Sequence, residues 1–443
     1  MLAPKTFSGG LHPPTIKTTA DKPIIALPMP DRVILHVSQH KGAPAKTILK
    51  ITDKVACGDK IAVAGGFVSA PVHASIAGTI IGAGNFMHPM GVPSQAVVIE
   101  RDKEAHMTEY NYEDGLALSP EEIKQRIQES GVVGLGGATF PTHVKLTTND
   151  TSKLDTVILN GAECEPALTT DHRMMLEHPD EIINGLRLVM KVLNVKKGII
   201  AIENNKMNAI ELFDKKLAQD KEIVVQPLIT KYPQGGEKQL VAACLKREIP
   251  SGKLPLDVGV VVLNVTSAAY ISYGVNYKMP LIERTVTLSG NCVKNPGNYL
   301  IRLGTTVANF IELAGGLKDD VPVKKIIMGG PMMGFGLFDL NVPIIKGTGG
   351  ILCWDENEAA MPGSTNCLRC GNCESVCPMG LQPQLIKKHT DHRNWEDAFR
   401  LSVMDCIECG CCAYTCPAVL PLVQNMKLAK HMIHQQSIKD RKK

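Results

Sequence analysis

The run Asp155-Thr-Val-Ile-Leu-Asn160, followed by Gly198-Ile-Ile-Ala-Ile202, Glu222-Ile-Val-Val-Gln226 and Val258-Gly-Val-Val-Val-Leu-Asn264, decides the fold. Each is a short apolar, β-branched stretch, and each leads into a longer segment of helical period. The segments are one long helix ending near Asn194, then helices over 207–219, 237–247 and 266–276. Four β-then-α units in succession predict a parallel sheet covered by helices. Ligands of open α/β sheets bind beyond the carboxyl ends of the strands. Those ends are polar here: Asn160 to Pro166 with Glu163 and Glu165, Glu203-Asn204-Asn205, Tyr232 to Lys238, and Asn264-Val-Thr266. Gly235-Gly236 opens a helix and offers free N–H groups to an anion.

Upstream, residues 119–130 begin with an N-cap serine, a proline at the first helical position and acidic residues in the first turn. That helix runs into Gly131-Val-Val-Gly134-Leu-Gly136-Gly137-Ala138. The glycine pattern follows a helix and not a strand, which is the wrong context for a Rossmann fingerprint. Beside four polar strand ends and Lys145, it suits a phosphate and a polar heterocycle. From about 30 to 100, short β-rich runs alternate with glycine and proline and predict a small sandwich or barrel. Val55 to Gly65 and Pro71 to Ile80 resemble the lipoyl/biotinyl barrel-sandwich hybrid. His73-Ala-Ser stands at the hairpin tip where a carrier would place its lysine, so a structural module is expected. Residues 1–20 read as irregular, with Gly9-Gly10 and Pro13-Pro14. Downstream, 278–345 holds short strands around one helix over 305–314, a small β-grasp pattern, and 346–362 reads as a glycine-bearing connector.

The chain has 443 residues, which by length alone suggests about three domains. Hydrophobic residues make up 44% and charged residues 21%, so the chain can bury real cores and is not disordered. A net charge of +4 argues against nucleic acid as a partner. The first residues lack a basic n-region followed by an apolar h-region, and no signal peptide is expected. Ile61 to Ile99 is uncharged but broken by glycines and prolines, and Val258 to Tyr277 carries several polar residues. No spanning helix is expected from either.

Nine of the fourteen cysteines lie between Cys367 and Cys416, and eight of these form two quartets. Cys367-x2-Cys370-x2-Cys373-x3-Cys377-Pro378 is followed by Cys406-x2-Cys409-x2-Cys412-x3-Cys416-Pro417. This is the bacterial two-cluster ferredoxin spacing, present twice, in which the fourth cysteine serves the other cluster. The assignment is Cys367, Cys370, Cys373 and Cys416 to one 4Fe-4S cluster, and Cys377, Cys406, Cys409 and Cys412 to the other. Two zinc ribbons would leave half of each quartet unexplained. Cys411 breaks the rhythm and reads as a bystander. Cys57, Cys164, Cys244, Cys292 and Cys353 are scattered and read as buried small hydrophobes. A basic helix or tail, Asn425 to Lys443, closes the chain and reads as a solvated helix end.

Gly-x-Gly-Gly-Ala-x-Phe-Pro-Thr-x-x-Lys at 134–145, Asn160-x-x-Glu-x-Glu-Pro at 160–166 and Tyr-x-x-Gly-x-Glu at 232–237 together resemble the NADH- and FMN-binding subunit of complex I-type dehydrogenases. With Gly9-Gly-Leu-His-Pro-Pro14 at the front and the double cluster at the end, the order of modules is similar to the RnfC family of Rnf electron-transport complexes. The resemblance covers nearly the whole chain. It implies an α/β multidomain architecture: an N-terminal region with a β barrel-sandwich module (1–115), a parallel α/β flavin/NAD domain (116–277), a β-grasp, SLBB-like module (278–345) and a two-cluster ferredoxin-like helical domain with a basic tail (346–443). It further implies that Gly134, Gly136, Gly137, Lys145, Asn160, Glu163, Gly235, Gly236, Asn264 and Thr266 hold FMN, with Tyr232 in the same loop. Phe140, Glu165 and Glu237 would face NAD(H). Ala162 replaces an aspartate, and Leu146 and Thr148 replace aromatic residues, so adenine is expected to stack elsewhere.

Nicotinamide exchanges a two-electron hydride and each cubane carries one electron, so a flavin must stand between them. No hydrolytic triad is needed. The expected function is that of a peripheral subunit of a membrane Rnf complex, exchanging electrons between NAD(H) and ferredoxin while partner subunits move Na+ or H+. Its expected place is the cytoplasmic face of the bacterial membrane, held by membrane and ferredoxin-type iron–sulfur subunits. The alternatives are a non-enzymatic iron–sulfur adaptor and the NADH-dehydrogenase subunit of a soluble hydrogenase or formate dehydrogenase.

Overall fold

The four β-branched runs form one parallel sheet: β1 (Thr156–Gly161), β2 (Gly198–Glu203), β3 (Ile223–Leu228) and β4 (Val260–Asn264). A computed structural model describes the chain over residues 2–106, 108–147 and 152–441, with backbone alone at 438–441. Thr148, Lys442 and Lys443 lie outside the described residues. The strands stand in the order β3-β2-β1-β4, all neighbours parallel. Every residue of β2 is buried, as a sheet covered on both faces requires. The chain steps from β1 through β2 to β3 on one side, then returns to place β4 on the other. The carboxyl ends of β1 and β4 therefore flank the topological switch point.

The long helix expected after β1 is two helices, α1 (Thr170–Glu177) and α2 (Pro179–Leu193). Pro179 has no N–H to continue α1, and His178 leaves helical geometry at the break. Gly185 lets α2 lie directly on α3 (Val265–Asn276), since a Cβ there would stand 1.9 Å from the Ala268 carbonyl oxygen. The helix Pro120–Glu129 carries the Ser119/Glu122 capping box in full.

The N-terminal module is two antiparallel sheets, one of four strands and one of three. Its hairpin tip is docked rather than presented to solvent. His73 is 5% exposed, and the Ser75 hydroxyl donates to the Leu303 carbonyl at 2.5 Å. A tip held in this way cannot swing as a carrier arm.

The β-grasp strands Glu283–Ser289, Gly297–Arg302 and Lys325–Met328 belong to a six-stranded sheet that exceeds the expected module. Ile24–Ala26 pairs parallel on Gly297–Arg302. Gly350–Trp354 inserts between Glu283–Ser289 and Lys325–Met328. The stretch read as a connector thus supplies an interior strand, because Ile351-Leu-Cys353 is apolar and fully buried.

Lys346 locks three modules together. It is fully buried, and its Nζ donates to the carbonyls of Pro71 at 2.9 Å and Gly131 at 2.8 Å. Burial lowers its pKa to about 7, and the cation in turn helps keep His73 and His40 neutral. Between pH 7 and the ordinary lysine range, the unfolded chain holds this proton and the folded chain releases it. Stability contributed by this group therefore rises with pH across that window. Lys346→Met should flatten the rise, read as a smaller difference between urea midpoints at pH 7 and pH 9 than in the parent protein. An unchanged difference would show that Lys346 stays charged.

The C-terminal domain repeats its geometry with its sequence. Arg369 and Glu408, then Gly371 and Gly410, occupy left-handed backbone at matching places in the two cysteine motifs. Each motif leads into a short helix, Asn372–Ser375 or Cys411–Tyr414. Pro383–Asp391, Trp395–Arg400 and Leu422–Arg441 pack beneath them. Among the described residues no helix is long and apolar enough to cross a membrane.

Candidate redox site

Asn160 and Asn264 are register partners at the ends of β1 and β4. Asn160 Nδ2 donates to the Gly235 carbonyl at 2.8 Å, and its Oδ1 accepts from the Ala162 N–H at 3.1 Å. A Cβ on Gly235 would stand 3.3 Å from Asn160, and one on Gly136 would stand 3.4 Å from Asn264. Two glycine segments far apart in sequence thus converge on the switch point. Gly134 closes the first loop by donating to the Phe140 carbonyl at 2.9 Å and accepting from the Thr139 N–H at 3.0 Å. Gly137, at φ +103°, has open space where a side chain would project. Lys145 Nζ donates to Glu237 Oε1 and to the Val262 carbonyl, both at 2.7 Å, and both side chains remain partly exposed. Gly236 caps the helix Glu237–Leu245. Bare backbone, two amide side chains, a lysine and a helix N-terminus form a donor set that fits FMN.

Buried cations hold the carbonyls of these loops from behind. Lys17 donates to the carbonyls of Glu163 (2.9 Å), Glu165 (3.0 Å) and Leu168 (2.5 Å), and burial lowers its pKa to about 8. Lys206 donates to the Ala162 carbonyl at 2.6 Å. Arg284 donates to the carbonyls of Leu135, at 3.1 Å, and Lys346. Asp171 accepts from Asn264 Nδ2 at 2.7 Å and from the Thr266 hydroxyl at 2.6 Å. Burial first and the neighbouring Glu163 second raise its pKa to about 6. The sequence reading missed Lys17, Asp171, Lys206 and Arg284.

Gly134, Gly136, Gly137, Phe140, Lys145, Asn160, Gly235, Gly236, Glu237, Asn264 and Thr266 lie around the switch point, with the Thr266 hydroxyl spent on Asp171. Three side chains are placed differently. Glu163 turns its carboxylate onto the start of α1, accepting from the N–H groups of Asp171 at 2.7 Å and His172 at 3.1 Å. Glu165 turns its carboxylate to the N–H groups of Met332, at 2.9 Å, and Met333, at 2.8 Å. Tyr232 is buried, and its hydroxyl donates to the Cys409 carbonyl at 2.7 Å. It joins the flavin domain to the cysteine domain. A cavity of about 550 Å³ lined by Cys57, His73, Tyr110 and Arg126 contains none of the expected site residues.

The eight motif cysteines separate into the two groups the spacing requires. Cys367, Cys370, Cys373 and Cys416 line one small cavity. Cys412 lies in the electrostatic reach of Cys406, Cys409 and Cys377. The four thiols of the first quartet surround a small space, as the ligands of a cubane would. Each motif turns an N–H toward its first sulfur: Arg369 toward Cys367 at 3.5 Å and Glu408 toward Cys406 at 3.4 Å. Cys409, Cys411 and Cys412 are buried, while Cys367 and Cys370 are exposed. One group is proximal to the flavin domain and the other distal. Cys411 joins neither quartet, and its thiol donates to the Tyr232 carbonyl at 3.8 Å.

Residues 127–273 match the Nuo51 FMN-binding domain, and residues 5–104 match the RnfC barrel sandwich hybrid domain. Residues 285–336 match the SLBB domain, and 363–419 a 4Fe-4S dicluster domain. The C component of the proton-translocating ferredoxin:NAD(+) oxidoreductase complex of Clostridium ljungdahlii is 46% identical, over 86% of this chain and 84% of its own. The C component of the Na(+)-translocating ferredoxin:NAD(+) oxidoreductase complex of Acetobacterium woodii is 44% identical over 97% of both chains. The C component of the ion-translocating oxidoreductase complex of Rhodobacter capsulatus is 41% identical, over 96% of this chain and 82% of its own. A chain of an NAD+-reducing NiFe-hydrogenase in the H2-reduced state superposes with a TM-score of 0.51 at 16% identity, over 71% of this chain and 62% of that one. That likeness concerns the fold.

Proposed function

We propose a function from the family to which this chain belongs, the RnfC proteins of the ion-translocating Rnf ferredoxin:NAD+ oxidoreductase complexes. The chain is the member of its complex that bears the NAD(H) site, with FMN and two 4Fe-4S clusters as its cofactors. The observation that carries this reading is the pairing of Asn160 and Asn264 at the switch point, with Gly136 and Gly235 packed on them.

FMN, when bound, accepts the electron pair from nicotinamide and releases it singly to one-electron carriers. The chain's own residues do the positioning. The glycine loop presents backbone to the ring and phosphate, Lys145 supplies a cation, and Asn160 and Asn264 supply amides. Phe140 and Glu237, at the open side of the loop, are the groups left for NAD(H). Tyr232 and the buried cysteines place the proximal cluster against the flavin domain. The exposed Cys367 and Cys370, with Leu368 65% exposed between them, make the distal cluster the exit toward a ferredoxin-type or membrane subunit. Attachment is peripheral, on the cytoplasmic face, and rests on protein contacts.

The test is the chain reconstituted without air with iron, sulfide and FMN. A flavin band near about 450 nm that NADH bleaches is the expected result. Two clusters with no flavin uptake would favour the adaptor reading instead.

A further inference from the structure

The motif Gly9-Gly-Leu-His-Pro-Pro14 and the lysine that follows it have no part in the chemistry described above, yet one short segment containing them touches three functional parts. Gly10 N–H donates to the Val376 carbonyl at 2.9 Å, next to the ligand Cys377. Leu11 and Tyr232 exchange two backbone hydrogen bonds of 2.8 Å each. His12 Nδ1 lies 3.0 Å from the Thr230 carbonyl. Lys17 then holds three carbonyls of the acidic loop, as described above.

The two glycines are dictated by space as well as by backbone angle. Gly9 and Gly10 sit at φ +78° and +76°. A Cβ on Gly9 would stand 2.8 Å from the Cys377 carbonyl oxygen, and one on Gly10 would stand 2.5 Å from the Tyr232 carbonyl oxygen. Both neighbours are backbone, so neither can rotate away. The segment is wedged between a proximal-cluster ligand and the Tyr232 loop of the flavin domain.

We propose that Phe7–Lys17 is the positioning element of electron transfer: Gly9-Gly10 sets Cys377 against the Tyr232 loop, and Lys17 sets the acidic loop beside the flavin. The proposal rests on the flavin and cluster reading given above. Lys17 is a positioning residue, since it acts through the carbonyls it holds.

The experiment uses the full chain reconstituted without air, in two variants. In Gly10→Ala, both clusters should be retained, the paramagnetic resonance spectrum of one reduced cluster should change, and NADH-driven cluster reduction should slow by about tenfold or more. In Lys17→Met, amide exchange over 160–168 should quicken about tenfold, and FMN should bind about tenfold more weakly. An unaltered cluster spectrum in Gly10→Ala together with unaltered exchange over 160–168 in Lys17→Met would overturn the proposal. Should the parent chain take up no FMN, the flavin reading falls, and the spectrum and the exchange rates still decide the role of the segment.

Discussion

Cys409→Ser is expected to remove about four iron atoms and to stop NADH from reducing anything beyond the flavin. Cys370→Ser should remove a similar amount of iron with a different consequence. Cys409 is a buried member of the quartet beside Tyr232, and Cys370 is an exposed member of the other. Losing the proximal cluster removes the carrier beside the flavin domain, so the distal cluster should stay oxidised when NADH is added. Losing the distal cluster should leave the proximal one reducible by NADH while delivery to a partner ceases. Iron analysis and resonance spectra of the NADH-treated variants separate the two. Cys411→Ser should keep all of the iron, because Cys411 stands outside both quartets and its thiol donates to the Tyr232 carbonyl. If it loses iron as Cys409→Ser does, the ligand register of the second motif is wrong.

Gly136→Val should weaken FMN binding strongly while leaving both clusters in place. The Cβ alone would stand 3.4 Å from Asn264, tight but tolerable. The two γ-methyl groups have no such room. They would press on a side chain that caps α3 through the Ser267 N–H and bonds Asp171. Affinity should fall on the order of 100-fold, about 2.7 kcal/mol. The strained cap should cost about 1 kcal/mol of stability. Fluorescence titration of the apoprotein with FMN measures the first, and iron content checks that the clusters survive. Unchanged affinity would remove the glycine loop from the flavin site.

Much of this was legible in the sequence because it is written in spacing or in short-range pattern. The cysteine quartets are fixed by their intervals, and the sheet by four β-branched runs. The Ser119 cap was legible because its partner Glu122 lies three residues away. The buried cations were not legible. Lys17, Lys206 and Lys346 look like surface lysines in a sequence, and only the fold reveals that their partners are carbonyls of other segments. The strand Gly350–Trp354 was hidden for a related reason: its neighbours, Glu283–Ser289 and Lys325–Met328, are themselves far from it in the chain. Glu165 was assigned from a motif, but its direction is set by the N–H groups of Met332 and Met333, which no local pattern announces. Tyr232 was likewise placed with the flavin, and its hydroxyl turns to the cysteine domain instead.

The N-terminal segment also carries a consequence for biogenesis. Its strand Ile24–Ala26 waits for Asn298, Tyr299 and Leu300 before it can pair, and Gly10 waits for Val376. At a synthesis rate of about 5–20 residues per second, these residues stay without those partners for tens of seconds after they are made. They settle only after the flavin domain and the first cysteine motif have emerged. A segment made early is therefore among the last to find its place, and its docking completes the junction between the two redox domains. A tag or fusion at the N-terminus would ride on that late step, whereas one at the C-terminus would be added after the junction's partners already exist.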